Sequence, residues 1–323
     1  MRTLLVGYKA RDLFAKGRHG RLATDPALLA SGCEIVCHTL DIYDRHAIER
    51  EHHLKAVCSA HLPPGPWDFV KFRTGPKTMS GELALDLLQE IHLLKPARFE
   101  LDFQGRERDR NSLLSKIRDN PERVRDFTAR WTASLPGTGP VEFASVPGCF
   151  CHRRRDEGGL ALAETVAKSI AAKGDSGISL LDMGCGCGLV GLLVAKAVPG
   201  VALTLVDSHA RAVEAARMNA AALGIDAEVI LADCGTPARM DGTFDVFAGN
   251  PPYYSDYRIA DVFLETAKRA LRPGGECWTV CKNAAGLEPV QRRHFGETEV
   301  SRRRGYAVLR SVKTAVGGEG TEK

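Results

Sequence analysis

Apolar positions along this chain fall into two alternating rhythms. Short runs such as TLLVG (3–7), EIVCHTLD (34–41), WDFVKF (67–72) and RFELDF (98–103) are rich in aliphatic and aromatic residues and predict strands. Between the last two, ELALDLLQEIHLLKP (82–96) repeats its apolar residues every three or four positions and predicts a helix. The second half repeats the alternation. Strands are predicted at SLLDMG (179–184), ALTLVD (202–207), AEVILADC (227–234), FDVFAG (244–249) and ECWTV (276–280). Helices are predicted at GLVGLLVAKA (188–197), at SHARAVEAARMNAAALG (208–224), which Gly224 closes, and at ADVFLETAKRALRP (260–273). Strands that alternate with helices make an α/β protein. The stretch ASLPGTGPVEFASVPG (133–148) has no helical period and is rich in Pro, Gly and Ser, so it marks the boundary between two domains.

The two halves share a plan. Gly7 and Gly184 each close the first strand of a half and stand 177 residues apart, as do Asp68 and Asp245, and Pro96 and Pro273. Asp41 and Asp207 are 166 apart, so an insertion or deletion separates the copies in between. Two α/β units of one design are expected, by internal duplication. The first copy has GYKAR where the second has a glycine loop, and FRTGP where the second has GNPPY. It is expected to keep the fold without a cofactor site.

A length of 323 residues suits two domains. No apolar run approaches the roughly 18 residues of a membrane span, and the amino terminus has too short an apolar core for a signal peptide, so a cytoplasmic protein is expected. The ten cysteines are scattered without repeated C-x-x-C spacing, which points to reduced thiols and no metal site. The net charge of +4 is mild, but arginine is clustered in GRERDRN (105–111), HRRRDE (152–157), QRRHF (291–295) and SRRRGY (301–306). Such clusters suit a polyanion.

Chemistry concentrates in the second half. The glycine loop carries Gly184, Cys185, Gly186 and Gly188 after Asp182, and glycines there permit positive φ and close approach of a ligand. Asp207, followed by Ser208, ends the second strand, where an acid can accept both hydroxyls of an adenosine ribose. Asp233, followed by Cys234, ends the third, near where an adenine amine would lie. Gly186, Gly188 and Gly191 also make a literal G-x-G-x-x-G, so a nicotinamide dehydrogenase has to be weighed. Asp182, placed to hold an amino group, and the polar motif after the fourth strand favour S-adenosylmethionine instead.

That motif is Asn250, Pro251, Pro252 and Tyr253. Two prolines cannot continue a helix or a central strand. An exocyclic base amine or a side-chain amide is a poor nucleophile because its lone pair is delocalised. If the Asn250 side-chain oxygen and the Pro251 carbonyl accept its two N–H groups, the lone pair can turn toward a methyl donor. Pro251 and Pro252 fix the carbonyl direction, and Tyr253 offers a face for stacking, worth about 1 to 3 kcal/mol for a base. A base in a duplex would have to flip out to reach such a pocket. Arg153, Arg154 and Arg155 either contact phosphates or pair with Asp156 and Glu157; both options stay open.

With LLDMGCGCG, Asp207, Asp233 and NPPY, the chain resembles class I methyltransferases, and as a whole it resembles the RsmC/RlmG family of ribosomal RNA guanine-N2 methyltransferases. The segment PGCFCHRRRDEGG (147–159) is similar to that family's lead-in to the glycine loop. The resemblance implies two tandem Rossmann-like methyltransferase-type domains. The first, 1–136, would be degenerate; a linker at 137–146 would lead to a catalytic domain at 147–315 and a flexible tail at 316–323. The catalytic sheet would have seven mostly parallel strands with an antiparallel edge hairpin. S-adenosyl-L-methionine would be the cofactor, and RNA, in ribosomal RNA or a ribosomal subunit, the partner. Two departures stand out: NPPY replaces the usual NPPF, and Cys151 stands where serine is common. NPPY also occurs in adenine-N6 and protein-glutamine methyltransferases, and the latter have a helical amino-terminal domain where this chain reads as strands. A non-catalytic RNA-binding or assembly protein is the remaining alternative.

Overall fold

The computed structural model describes residues 1–13, 32–119, 124–174, 177–233, 236–252 and 257–314. Cys234, Tyr253 and the expected tail at 316–323 lie outside the described residues. The chain forms two compact units: Met1–Thr128 with Val146–Gly148 and His209–Arg211, and Ala129–Ser145 with Cys149–Ser208 and Ala212–Lys323.

The first unit runs β1 (Arg2–Val6), α1 (Ala10–Leu13), β2 (Glu34–Thr39), α2 (Ile42–His52), β3 (Lys55–Cys58), β4 (Phe69–Thr74), α3 (Gly81–Leu94), β5 (Arg98–Phe103) and α4 (Glu107–Arg118). Its sheet is parallel, in the order β3-β2-β1-β4-β5. Because strand side chains alternate between faces, Leu4 and Val6 join one core with Val70, Phe72 and Leu87, while Leu5 joins another with Cys37 and Ile48. Burial on both faces explains the near-continuous apolar runs of the central strands. Helix α3 starts where Ser80 accepts a hydrogen bond from the Leu83 amide.

The second unit begins with a hairpin, β6 (Ala129–Ala133) and β7 (Val141–Ser145), in which Trp131 stacks on Phe143 at 5.2 Å between centroids. The expected linker at 137–146 thus contains a strand. Helical period was the wrong test for a stretch whose Pro and Gly build a hairpin turn. There follow α5 (Glu157–Lys173), β8 (Ser179–Met183), α6 (Leu189–Ala197), β9 (Ala202–Asp207), α7 (Ala210–Leu223), β10 (Ala227–Leu231), β11 (Phe244–Gly249), α8 (Arg258–Ala270), β12 (Leu271–Cys281), α9 (Ala284–Phe295), β13 (Glu299–Arg303) and β14 (Tyr306–Val312). The seven-stranded sheet has the order β10-β9-β8-β11-β12-β14-β13, with β14 antiparallel to both neighbours. Its first five strands repeat the order of the first unit's sheet, as the offset of 177 residues leads one to expect. The predicted helix to Pro273 stops at Ala270, and β12 begins at Leu271, with a register shift between Phe244 and Val246. Among the described residues, no helix is long and apolar enough to cross a membrane.

Candidate active site

Strands β8 and β11 are hydrogen-bonded neighbours from which the chain winds in opposite directions, β9 lying beyond one and β12 beyond the other. Such a switch point opens a crevice outside the carboxyl ends of the strands. The register sets Asp182 opposite Leu205 of β9 and Ala248 of β11, so Asp182, Asp207 and Asn250 all come to that edge. The fully buried β11 fixes Asn250 just past its last residue.

The glycine loop folds over the end of β9. The Gly184 and Cys185 amides donate to the Val206 carbonyl at 2.8 and 3.0 Å, and the Gly188 amide donates to Cys185 at 2.8 Å. Gly184, Gly186 and Gly188 all have positive φ. They are glycine for different reasons. A Cβ on Gly184 would lie 2.7 Å from the Phe263 ring, and one on Gly188 2.7 Å from Leu192, whereas one on Gly186 would enter open space. Gly186 is therefore the glycine among these three whose backbone borders open space.

Two carboxylates hold this loop. Asp207 accepts from the Gly186 amide at 2.9 Å, and Asp182 accepts from the Gly191 amide in the first turn of α6 at 2.9 Å. Gly191 is what allows that approach: a Cβ there would lie 2.6 Å from Leu205 and 3.2 Å from the Asp182 carboxylate. Asp182 is fully buried, and desolvation pushes its carboxyl up to about 7; the Gly191 bond opposes the rise, and the nearby charges of Asp207 and Asp156 add to it. Burial also raises the Cys185 thiol, so it serves as a small apolar side chain rather than a thiolate. Asn219, buried in α7, donates to the Cys187 carbonyl and pairs with both backbone groups of Ala144, each at 2.8 Å, tying the glycine loop to β7.

On the other side of the crevice the Asn250 amide nitrogen donates to Asp156 at 2.8 Å. Asp156 also caps α5 by accepting from the Gly158 amide at 3.0 Å. Sequence reasoning treated Asp156 only as an arginine partner. Its position just before a helix, followed by two glycines, was the available signal. The arginines turn to other acids: Arg155 and Arg304 to Glu157, and Arg303 and Arg304 to Glu164. Arg153, Arg154 and Arg155 are exposed ahead of α5.

Of the sequence-predicted positions, Asp182, Gly184, Cys185, Gly186, Gly188, Asp207 and Asn250 are thus drawn to one edge of the sheet, with Pro251 and Pro252 continuing from Asn250. Ser208 follows Asp207 beyond the end of β9. Asp233 lies two residues past the end of β10 rather than within it. Among the described residues no cluster of His, Cys, Asp and Glu could hold a metal.

A parallel doubly wound sheet with an antiparallel edge hairpin, a glycine loop after a central strand and acids at the neighbouring strand ends define a class I methyltransferase-type fold. Residues 140–310 match the family described as methyltransferase small domain, and the chain belongs to that family. It is similar to ribosomal RNA small subunit methyltransferase C of Pseudomonas aeruginosa, 36% identical over 171 residues that cover 50% of this chain and 48% of that one. The corresponding protein of Stutzerimonas stutzeri is 33% identical over 193 residues, 58% of this chain and 56% of the relative. The matches therefore span about half the length of these curated relatives. A likeness of fold extends further: the T. thermophilus 16S rRNA guanine-N2 methyltransferase RsmC, solved with AdoMet and guanosine, has a TM-score of 0.72 over 97% of this chain and 88% of that one, at 18% identity.

Proposed function

We propose that this protein is an S-adenosylmethionine-dependent methyltransferase that modifies the exocyclic amine of an RNA base, guanine N2 of ribosomal RNA. The observation that carries this reading is the convergence at the ends of β8, β9 and β11. There Gly186 faces open space between two loop-holding carboxylates, and Asn250 begins a polar corner. The names of the relatives favour ribosomal RNA, and the guanosine bound to the T. thermophilus protein favours guanine.

The residues fit the cofactor's chemistry. Asp182 supplies a buried carboxyl that pairs with its ammonium group once ionised, Asp207 an acceptor for its ribose, and the bare backbone at Gly186 room for close approach. When bound, that cofactor supplies an electrophilic methyl on a sulfonium sulfur; the amine gains the methyl, sheds a proton and leaves the thioether behind. The chain's own part is orientation. The Asn250 oxygen and the Pro251 carbonyl accept from the amine, holding its nitrogen lone pair toward the methyl, and these bonds strengthen as the nitrogen becomes positive. Pro252 stiffens the corner, stacking on the base is the role we assign to Tyr253, and Ser208 and Asp233 line the adenosine end. Arg153, Arg154 and Arg155 contact phosphates. Arg155 pairs with Glu157 at 3.7 Å, a contact between two exposed side chains that is worth no more than about 1 kcal/mol and yields readily to a phosphate.

The test is transfer of labelled methyl to total RNA and total protein from cells lacking the gene, followed by digestion and mass spectrometry. Label in N2-methylguanosine is the expected result. Label in N6-methyladenosine would overturn the guanine assignment, and label in glutamine would overturn RNA as the substrate.

A further inference from the structure

We infer that Asp156 is a positioning residue that sets which end of the Asn250 carboxamide faces the substrate amine. This inference rests on the reading of the site given above. A carboxamide carries a donor and an acceptor of nearly equal size, and its orientation follows from the hydrogen bonds around it. Methyl transfer to an amine needs the oxygen turned inward, to accept N–H. Inverted, the amide would offer its own N–H groups to an amine that has hydrogens to give away, and the substrate would be repelled.

Asp156 removes that ambiguity. An ionised carboxylate only accepts, so the amide end that meets Asp156 Oδ2 at 2.8 Å has to be nitrogen. The opposite orientation would set oxygen against oxygen. The other carboxylate oxygen is anchored by the Gly158 amide at 3.0 Å, at the start of a 17-residue helix. Helix α5 is itself fixed by buried Leu160, Leu162, Ala163 and Val166. The bond to Asp156 also polarises the amide, making its oxygen a stronger acceptor as charge grows on the amine.

The two glycines after Asp156 belong to the same device. A Cβ on Gly159 would lie 2.7 Å from the carboxylate oxygen that Asn250 uses, and one on Gly158 would lie 3.1 Å from the Tyr306 ring and 3.2 Å from the other oxygen. Neither glycine has a positive φ, so the backbone does not demand glycine at either place. What both provide is space for the carboxylate.

A purely structural Asp156 would be a helix cap and no more. Asp156→Ser separates the two roles, because serine is among the best N-caps yet is too short to reach Asn250. The full-length protein and the variants Asp156→Ser, Asp156→Asn, Asn250→Ala and the double variant Asn250→Ala/Asp156→Ser are compared. The readouts are steady-state methyl transfer to ribosomal RNA from cells lacking the gene, thermal unfolding, and calorimetric titration with S-adenosylmethionine. Asp156→Ser is expected to lower kcat about 30- to 100-fold while cofactor affinity stays within about threefold and the melting temperature barely moves. Asp156→Asn, which keeps an acceptor oxygen, recovers part of the loss. In the Asn250→Ala background Asp156→Ser costs nothing further, since the two residues act as one unit. In the 1H–15N spectrum the side-chain amide protons of Asn250 move upfield in Asp156→Ser. A kcat within twofold of wild type, an additive loss in the double variant, or a parallel fall in cofactor affinity would overturn the inference alone. Absence of transfer by the wild-type protein would overturn the reading of the site, and the inference with it.

Discussion

The carboxyl ends of β1 and β4 in the first unit and of β8 and β11 in the second occupy the same place in the same sheet order, yet they are built for opposite purposes. In the second unit Gly186 opens onto space and the Asn250 amide nitrogen donates to the Asp156 carboxylate. In the first, Arg73 stands where the offset of 177 residues puts Asn250, and Tyr8 where it puts Cys185. Arg73 binds Asp102 at 2.7 Å and Asp12 at 3.6 Å, Tyr8 donates to Asp102 at 3.2 Å, and Gln104 donates to the same carboxylate at 2.6 Å. A Cβ on Gly7 would lie 2.3 Å from the Arg73 carbonyl, so that glycine serves close packing, not an opening. The apolar pattern preserves a sheet, and a few residues at strand ends decide whether its crevice holds a ligand or an ion-pair cluster.

The largest contrast is expected between Asn250→Ala and Arg73→Ala. Asn250→Ala should lower kcat at least about 100-fold, or about 2.7 kcal/mol, with cofactor affinity nearly intact. Arg73→Ala should leave the affinity unchanged and cost about 2 to 4 kcal/mol of stability, by stranding Asp102 and Asp12. Methyl-transfer kinetics and denaturant unfolding of both variants would check this.

Gly186→Ala and Gly7→Ala should divide the same way. At Gly186, with φ +57, the added methyl meets nothing in the protein, so stability falls by only about 1 kcal/mol while cofactor affinity falls more than about tenfold. At Gly7, with φ +77, the methyl collides with backbone, and about 2 to 4 kcal/mol of stability is lost with no effect on affinity in the second unit.

The buried Asp182 makes a prediction in pH. Its folded-state carboxyl sits at about 7, above the 3.8 of an ordinary aspartic acid, so the folded state holds the proton more tightly. This group's contribution to stability is therefore present at low pH and is lost as pH rises from about 4 to about 7. Binding of the cofactor ammonium needs the carboxylate and runs the other way, weakening about tenfold per unit as pH falls below 7. Calorimetry at pH 6 and 8 would detect it, and Asp182→Asn should flatten the profile while weakening binding at both. The smallest effect belongs to Tyr8→Phe, which removes one hydrogen bond and should cost about 1 kcal/mol of stability in chemical unfolding with methyl transfer unchanged.

Most of the architecture was legible because buried parallel strands are apolar on both faces, and β1, β4, β8 and β11 stand out wherever they occur. The glycine loop and Asn250 were legible because their chemistry is local. The hairpin β6–β7 was not, since its strands are short and its turn carries the Pro and Gly of a linker. Nor were the roles of Asp156 and Asn219, whose partners Asn250 and Ala144 lie 94 and 75 residues away. A polar residue's sequence neighbours show what it can bond to, and only the fold shows what it does bond to.

The central claim, one working crevice in a duplicated fold, is tested most directly by calorimetric titration of the full chain with S-adenosylmethionine. One equivalent should bind per chain, and binding should be lost in Asp182→Ala and kept in Arg73→Ala. Two equivalents, or a single site that survives Asp182→Ala and vanishes in Arg73→Ala, would contradict it.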